Sequence, residues 1–488
     1  MKKLPPHLVK AQHEIEKIAK DFGLDCFPTI FEMCSGDMIN QLAAYGGFPS
    51  RYPHWKWGME YNQLSKSSEY GLGKIYEMVI NTNPCYAYLQ EGNSMMIQKL
   101  VMAHVLGHND FFKNNVWFSK TNRKMLDQMA NHGVRVRRYM DKYGEETVEN
   151  FIDVCLSLEN LINKLSPFET EKSEVESDES EFRMFTPSKL KVERSYMDRY
   201  INPPEWLASQ EPPKEKRESK FKGEKDILKF LRNHAPLNDW QQDILNIIRE
   251  ESLYLAPQGM TKTMNEGWAS YWHSRIMTEK VLNASEIIDF ADSHSGVMNM
   301  PHGNYNPYKV GIELMRNIEE RWNKGQHGKE WNDCADIKAK LNWDTKSGKG
   351  QEKLFEVRKF YNDVSFIDEF LTPEFCKQHK MFIYRMNPET GQFEADTKDF
   401  PAIKQKLLFY MTNFGQPIIS IEDDNWYNRG ELLLNHHHEG MDLQPDYLQA
   451  TLKNLWALWS RPVHLATTMK DSHYVWSYNG KEITKQKT

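Results

Sequence analysis

Residues 93–112 read NSMMIQKLVMAHVLGHNDFF, and this stretch decides what kind of interior the chain builds. Apolar residues recur at i, i+3, i+4 and i+7 between Ile97 and Phe111, the period of an α-helix with one buried face. His104 and His108 stand four residues apart on that same face, beside Ile97, Leu100, Val101, Gly107 and Phe111. Two imidazoles one turn apart therefore point into the interior. Buried imidazoles need partners, either a metal ion or hydrogen-bonding groups on neighbouring helices, and two histidines at this spacing can reach one ion.

A second stretch offers the third ligand. TKTMNEGWASYWHSRIM (261–277) reads as a helix with Glu266 and His273 on one face. Zinc hydrolases of the gluzincin type take two histidines from an HExxH helix and a glutamate from a later helix often written N-E-x-x-A. Asn265-Glu266-Gly267-Trp268-Ala269 resembles that second element. The expected metal ligands are His104, His108 and Glu266, the expected cofactor is Zn2+ or another divalent metal, and a fourth position is left for catalysis. The residue after the first histidine is Val105, where HExxH carries its proton-accepting glutamate.

Glu159 and His273 are the catalytic candidates that remain. Glu159 is expected near the centre of the apolar face of GEETVENFIDVCLSLENLI (144–162), a helix marked by Val148, Phe151, Ile152, Cys155 and Ile162. A carboxylate there is a fourth ligand, a general base or an orienter of an imidazole, or else an ion-pair partner of Arg135, Arg137 or Arg138. Asn109 and Asp110 either orient the histidines or pair locally.

Outward from these motifs, helical periodicity covers 6–22, 70–81, 119–142 and 145–163, and returns at 224–234, 238–252, 260–281, 284–291 and 307–323. RYPHWKWGMEYNQLSKSSEYG (51–71) is too rich in Pro, Gly and aromatics for one regular element and predicts a packed loop. The run 169–182 holds seven acids and one lysine, a net −6 equal to the charge of the whole chain. Past residue 378 short β-branched and aromatic runs alternate with two helices. The fold class expected is α+β. Residues 1–166 and 224–377 form a mainly α-helical, zincin-like N-terminal domain, 167–223 a polar linker or insertion, and 378–488 a smaller C-terminal α+β domain.

Two further histidine groups stand out. LLLNHHHEGMDL (432–443) holds His436, His437 and His438 before Glu439; on a strand the first and third share a side. They enter a site mouth or meet a partner, or else lie in a solvent-exposed turn. DFADSHSGVMNMPHGNYNPYKVG (289–311), with His294 and His302, reads as a loop that lines the pocket beside Glu266 or simply connects helices.

Composition removes other classes of function. The 488 residues carry 62 basic and 68 acidic side chains, so no cationic field favours nucleic acid, and only the basic cluster near 214–225 speaks for it. Six scattered cysteines form no CxxC pair, which fits a reducing compartment. No apolar run approaches ~18 residues and the start MKKLPPHLVKAQHEIEK lacks the apolar core of a signal peptide, so a cytoplasmic protein without a membrane span is expected. Phosphate-binding P-loop, Rossmann and serine-elbow motifs are absent.

Longer strings carry a family resemblance. YPHWKWGMEY (52–61), SEYGLGKIYEMVINTNPCYAYL (68–89), AHVLGHNDFFKNN (103–115), FIDVCLSLENLI (151–162), MNEGWASYWHSRIM (264–277), NPYKVGIELM (306–315), HHHEGMDL (436–443) and LWSRPVHLAT (458–467) resemble the stage V sporulation protein R (SpoVR) family of bacteria. The resemblance implies a role in sporulation, in the peptidoglycan of the spore cortex, or in stress adaptation. It also implies a kinase-like AAA protein and a von Willebrand factor A-type protein as partners. If the chain is an enzyme, metal-assisted hydrolysis of an amide or peptide bond in a small-molecule or peptide substrate is the expected reaction. The alternative is a non-enzymatic scaffold or regulator working with those partners.

Overall fold

The computed structural model describes residues 2–69, 77–169, 219–301, 303–387, 391 and 393–488. The acidic run after residue 169, most of the 167–223 segment and His302 lie outside the described residues, as does the 214–218 part of the basic cluster near 214–225. The architecture is mixed α+β, with helices predominating and three sheets among the described residues.

At the centre is the helix Met95–Asn114, started by Ser94, whose hydroxyl accepts from the Ile97 amide at 3.4 Å. Every residue from Val101 to Phe112 is buried, so this helix is enclosed by neighbours all round. Lys262–Ile276 packs along one side of it, Pro6–Asp21 along another, and Pro307–Asn323 lies behind the second helix. Trp268 and Trp272, both without exposed surface, fill the space between these helices and Gly350–Phe360. Asp363 starts the Lys262–Ile276 helix from outside, its carboxylate accepting from the amides of Thr263 and Met264 at 2.8 and 2.9 Å.

Asp110 is the main polar tie in this core. It is wholly buried and accepts from Arg358 at 2.7 and 2.8 Å, from Trp268 Nε1 at 2.8 Å and from the Asp25 amide at 2.7 Å. Removing one partner of such a pair leaves a buried charge and costs about 3–5 kcal/mol.

A small sheet flanks the helices: β1 (Thr29–Cys34), β2 (Glu77–Ile80) and β3 (Cys85–Gln90), in the order β1-β3-β2. β1 and β3 run parallel, β2 and β3 antiparallel. This corrects the helix expected over 70–81, whose described part, Glu77–Ile80, is strand. The packed loop expected at 51–71 is likewise replaced by a helix, Trp55–Glu69, since Pro53 stands in front of it and not inside it. The 289–311 loop is shortened too: Ile287–Val297 is helical and carries His294, and the next helix starts at Pro307 under an Asn306 cap.

A two-stranded hairpin, β4 (Ile383–Met386) with β5 (Phe393–Thr397), and the helix Phe400–Met411 still pack on the first core. The second core forms around a five-stranded sheet in the order β10-β9-β8-β7-β6, with β6 Ile418–Trp426, β7 Glu431–His437, β8 Val463–Met469, β9 Ser472–Tyr478 and β10 Ile483–Lys487. The helix Pro445–Trp459 joins the parallel pair β7 and β8 and buries Leu448, Leu452, Leu455 and Leu458 on the sheet. Helix Ile227–His234 and the first half of Asp239–Met260 belong to this second core, with Ile152 and Cys155 of Glu145–Leu156. These two helices share that core with Val136 of Met125–Tyr143 and Val148 of Glu145–Leu156, both from the first helical group.

Candidate metal centre

The Met95–Asn114 and Lys262–Ile276 helices meet through their smallest residues. A Cβ on Gly107 would lie 2.6 Å from the Ala269 Cα, and one on Gly267 would lie 2.5 Å from the carbonyl carbon of Gly311. Two backbones thus approach the Glu266 helix from opposite sides without intervening side chains. Gly107 precedes His108 and Gly267 follows Glu266, so the closest helix contact coincides with the donor residues.

His104 Nε2 lies 3.6 Å and His108 Nε2 3.5 Å from Glu266 Oε2, and the three donor atoms fall within 4.8 Å of one another. These separations are long for hydrogen bonds. They are close to the ~3.3–3.4 Å edge of a tetrahedron whose centre is about 2.0–2.1 Å from each ligand atom. Both histidines are only 4 % exposed. The nitrogen and oxygen donors fit a divalent cation of the zinc type.

The second nitrogen of each imidazole is engaged elsewhere. His108 Nδ1 is 2.9 Å from Asn265 Oδ1, so it carries a proton and the lone pair is on Nε2. His104 Nδ1 is 2.7 Å from His273 Nδ1, and His273 Nε2 is 3.2 Å from His294 Nδ1. One set of tautomers satisfies this row while keeping a lone pair on His104 Nε2: His104 donates to His273 and His273 donates to His294.

Burial, reinforced by His104, pushes His108 down to about 4. Burial first, then the neighbouring His104 and His294, hold His273 well below the usual imidazole range. Burial works against ionisation of Glu266, but the adjacent His104 and His108 and a hydrogen bond from Tyr308 outweigh it and hold its carboxyl low. A neutral His108 beside the Glu266 carboxylate is the protonation state in which these two residues bind a cation.

The other candidates are placed apart. Helix Glu145–Leu156 ends three residues before Glu159, which stands on the following turn with its side chain 48 % exposed and 4.0 Å from Lys56. It is neither at the centre of a buried face nor among the converging donors. Its ion-pair partner among the described residues is Lys56 and none of the arginines considered, of which Arg135 binds Asp243. Asn109 holds the backbone of Phe27 and the Thr29 hydroxyl, and Asp110 holds Arg358, so the histidines are oriented instead by Asn265 and His273. Tyr308 is a site residue that sequence reasoning misses; its place as the second residue of the helix opened by Asn306-Pro307 is the available sign.

Comparison with known proteins follows this geometry. The family model described as SpoVR like protein matches residues 3–416. The chain belongs to the SpoVR family. A second model of the family, described as SpoVR-like C-terminal domain, matches residues 417–470 and begins one residue before β6. The curated relative YcgB of Escherichia coli (strain K12) is 30% identical over 395 residues, covering 76% of this chain and 72% of its own. No solved structure matches the chain. Among the described residues no helix is long and apolar enough to cross a membrane.

Proposed function

We propose that this SpoVR-family chain binds Zn2+ or a similar divalent cation through His104, His108 and Glu266 in a zincin-like site, and that it hydrolyses amide or peptide bonds. One observation carries the reading: three donor atoms converge from two helices while the second nitrogens of both imidazoles are held by Asn265 and His273. A cation held there supplies Lewis acidity for polarising a carbonyl group and activating water. The chain's own contribution is orientation. Asn265 fixes the His108 ring, the His273–His294 row fixes the His104 ring, and Tyr308 steadies Glu266. His273 thus acts as a positioning residue for His104. Peptides of the cell wall are the substrates to try first, given the cortex role that the resemblance implies, with stress adaptation as the wider setting.

Elemental analysis of the purified full chain tests the reading. About one equivalent of metal is expected per chain, with none in His104→Ala at equal folded content. A wild-type chain that holds no stoichiometric metal after incubation with Zn2+, Mn2+ or Fe2+ would sink it.

Val105 favours a second reading. It is fully buried in the apolar core, at the position where a zincin places its glutamate. In that reading the site is structural and the protein is a scaffold or regulator for the kinase-like AAA and von Willebrand factor A-type proteins. Turnover of a peptide by the metal-loaded chain, abolished by Glu266→Gln, separates the two.

A further inference from the structure

A cavity of about 520 Å³ lies on the seam where the two family segments meet. Its size falls in the ~300–1,000 Å³ range of small-molecule sites, and seams of this kind are where they gather. Leu161, Ile162, Met260 and Ile419 give it apolar walls, and Lys164 and Lys225 supply cations. The charge is uncompensated. Asp368, the acid on the rim, is already paired with Lys404 at 2.7 Å. Lys164 Nζ donates to the neutral Asn413 Oδ1 at 2.7 Å and lies 3.5 Å from the centre of the Phe414 ring, and among the described residues neither lysine has a carboxylate partner.

The wall at Asn413 is held in a strained shape. Asn413, Phe414 and Gly415 adopt φ of 48°, 58° and 69° in succession, the left-handed region that residues with a Cβ avoid. This turn sets the Asn413 amide on Lys164 and seats the Phe414 ring against Gly259, where a Cβ would lie 2.5 Å from a ring atom. Strain of this kind persists where the surroundings impose it, and here it shapes the polar end of a cavity. Burial also pulls Lys164 down to about 8, and an anion that pairs with it would raise it again and hold the proton more firmly.

We propose that this cavity binds a small amphiphilic organic anion, its acidic group on Lys164 and Lys225 and its apolar body against Leu161, Ile162, Met260 and Ile419. The site is independent of the metal reading. Its chemistry is that of a carboxylate, sulfonate or phosphate ester carried on an apolar or aromatic body, a class that the surplus of positive charge and the apolar walls select together.

The test uses the full chain and the probe 8-anilinonaphthalene-1-sulfonate, followed by calorimetry and fluorescence. One saturable site is expected. Lys164→Met is expected to weaken binding about tenfold, Lys164→Arg to keep most of it, and Met260→Trp to block it by filling the cavity. A second measurement does not need the variants to fold. Pyridoxal 5′-phosphate with borohydride reduction should label Lys164 ahead of the exposed lysines, and saturating probe should protect it. Unsaturable binding, equal affinity in folded Lys164→Met and Met260→Trp, or labelling of Lys164 that the probe leaves unchanged overturns the proposal.

Discussion

His104, His108 and His273 sit between helices, whereas His436, His437 and His438 run off the end of β7, and the two groups use their ring nitrogens differently. On β7 each imidazole has a partner of its own: Thr467 for His436 at 2.9 Å, Ser420 for His437 at 2.8 Å and Asp442 for His438 at 2.9 Å. Consecutive residues of a strand face opposite ways, so His437 cannot join its neighbours, and the rings of His436 and His438 stay 6.0 Å apart. Between the helices, a spacing of four brings two Nε2 atoms to one carboxylate. Burial lowers His108 and His436 alike, both to about 4, so titration does not tell the groups apart. What separates them is convergence, which depends on spacing and helix approach and not on how many histidines stand in a row.

The sharpest way to break the comparison is to remove histidines from each group in turn. His108→Ala is expected to take bound metal from about one equivalent to none, while the triple change of His436, His437 and His438 to alanine leaves it untouched. Metal analysis that finds the reverse would transfer the site to the sheet. The next effect is smaller. Asn265→Ala removes the group that orients His108, which costs about 10–100-fold in metal affinity, read by competition with a chelator. Thr467→Val, its counterpart beside His436, is expected to leave that affinity unchanged.

The buried helical faces were legible because their period is long and their apolar residues many, and the same period set His104 and His108 on one buried face; Glu266 stood out by its N-E-x-x-A context instead. The failures have local causes. Leu158 and Leu161 stay buried after the helix ends at Leu156, so the apolar pattern runs on through a turn and carried Glu159 with it on paper. EMVI in β2 is four residues long, too short for periodicity to distinguish strand from helix. Asn109 and Asp110 were ambiguous because their partners, Phe27 and Arg358, are far away in sequence. The glycines at 107, 267 and 311 carry the site's geometry, yet a single chain gives no reason to choose them from its 26.

Gly107→Ala tests that geometry directly. Its Cβ meets backbone and not a flexible side chain, so overpacking of about 1–3 kcal/mol is expected, read by chemical denaturation, with weaker metal binding as the helices part. A glycine such as Gly440, which has nothing near its Cβ direction, serves poorly as a control because its φ is 94°; Gly296, helical and open, serves well. Unchanged stability and metal content in Gly107→Ala would show that the close approach is not required.

The smallest effects concern protons and set a third histidine against the other two. Burial opposes a charge on His132, but hydrogen bonds to Glu250 and Glu251 outweigh it and raise its pKa. Its contribution to stability is complete below the unfolded value of about 6.5 and fades as pH rises through the raised folded value. For His436 the folded value lies below the unfolded one, so acid favours unfolding as pH falls from about 6.5 toward about 4. His132→Gln should therefore cost more stability at pH 5 than at pH 9, while His436→Gln should lessen the loss between pH 6.5 and 4. Denaturation midpoints across that range decide it. Slopes of the same sign in both variants would mean that the carboxylates around His132 do not hold its proton.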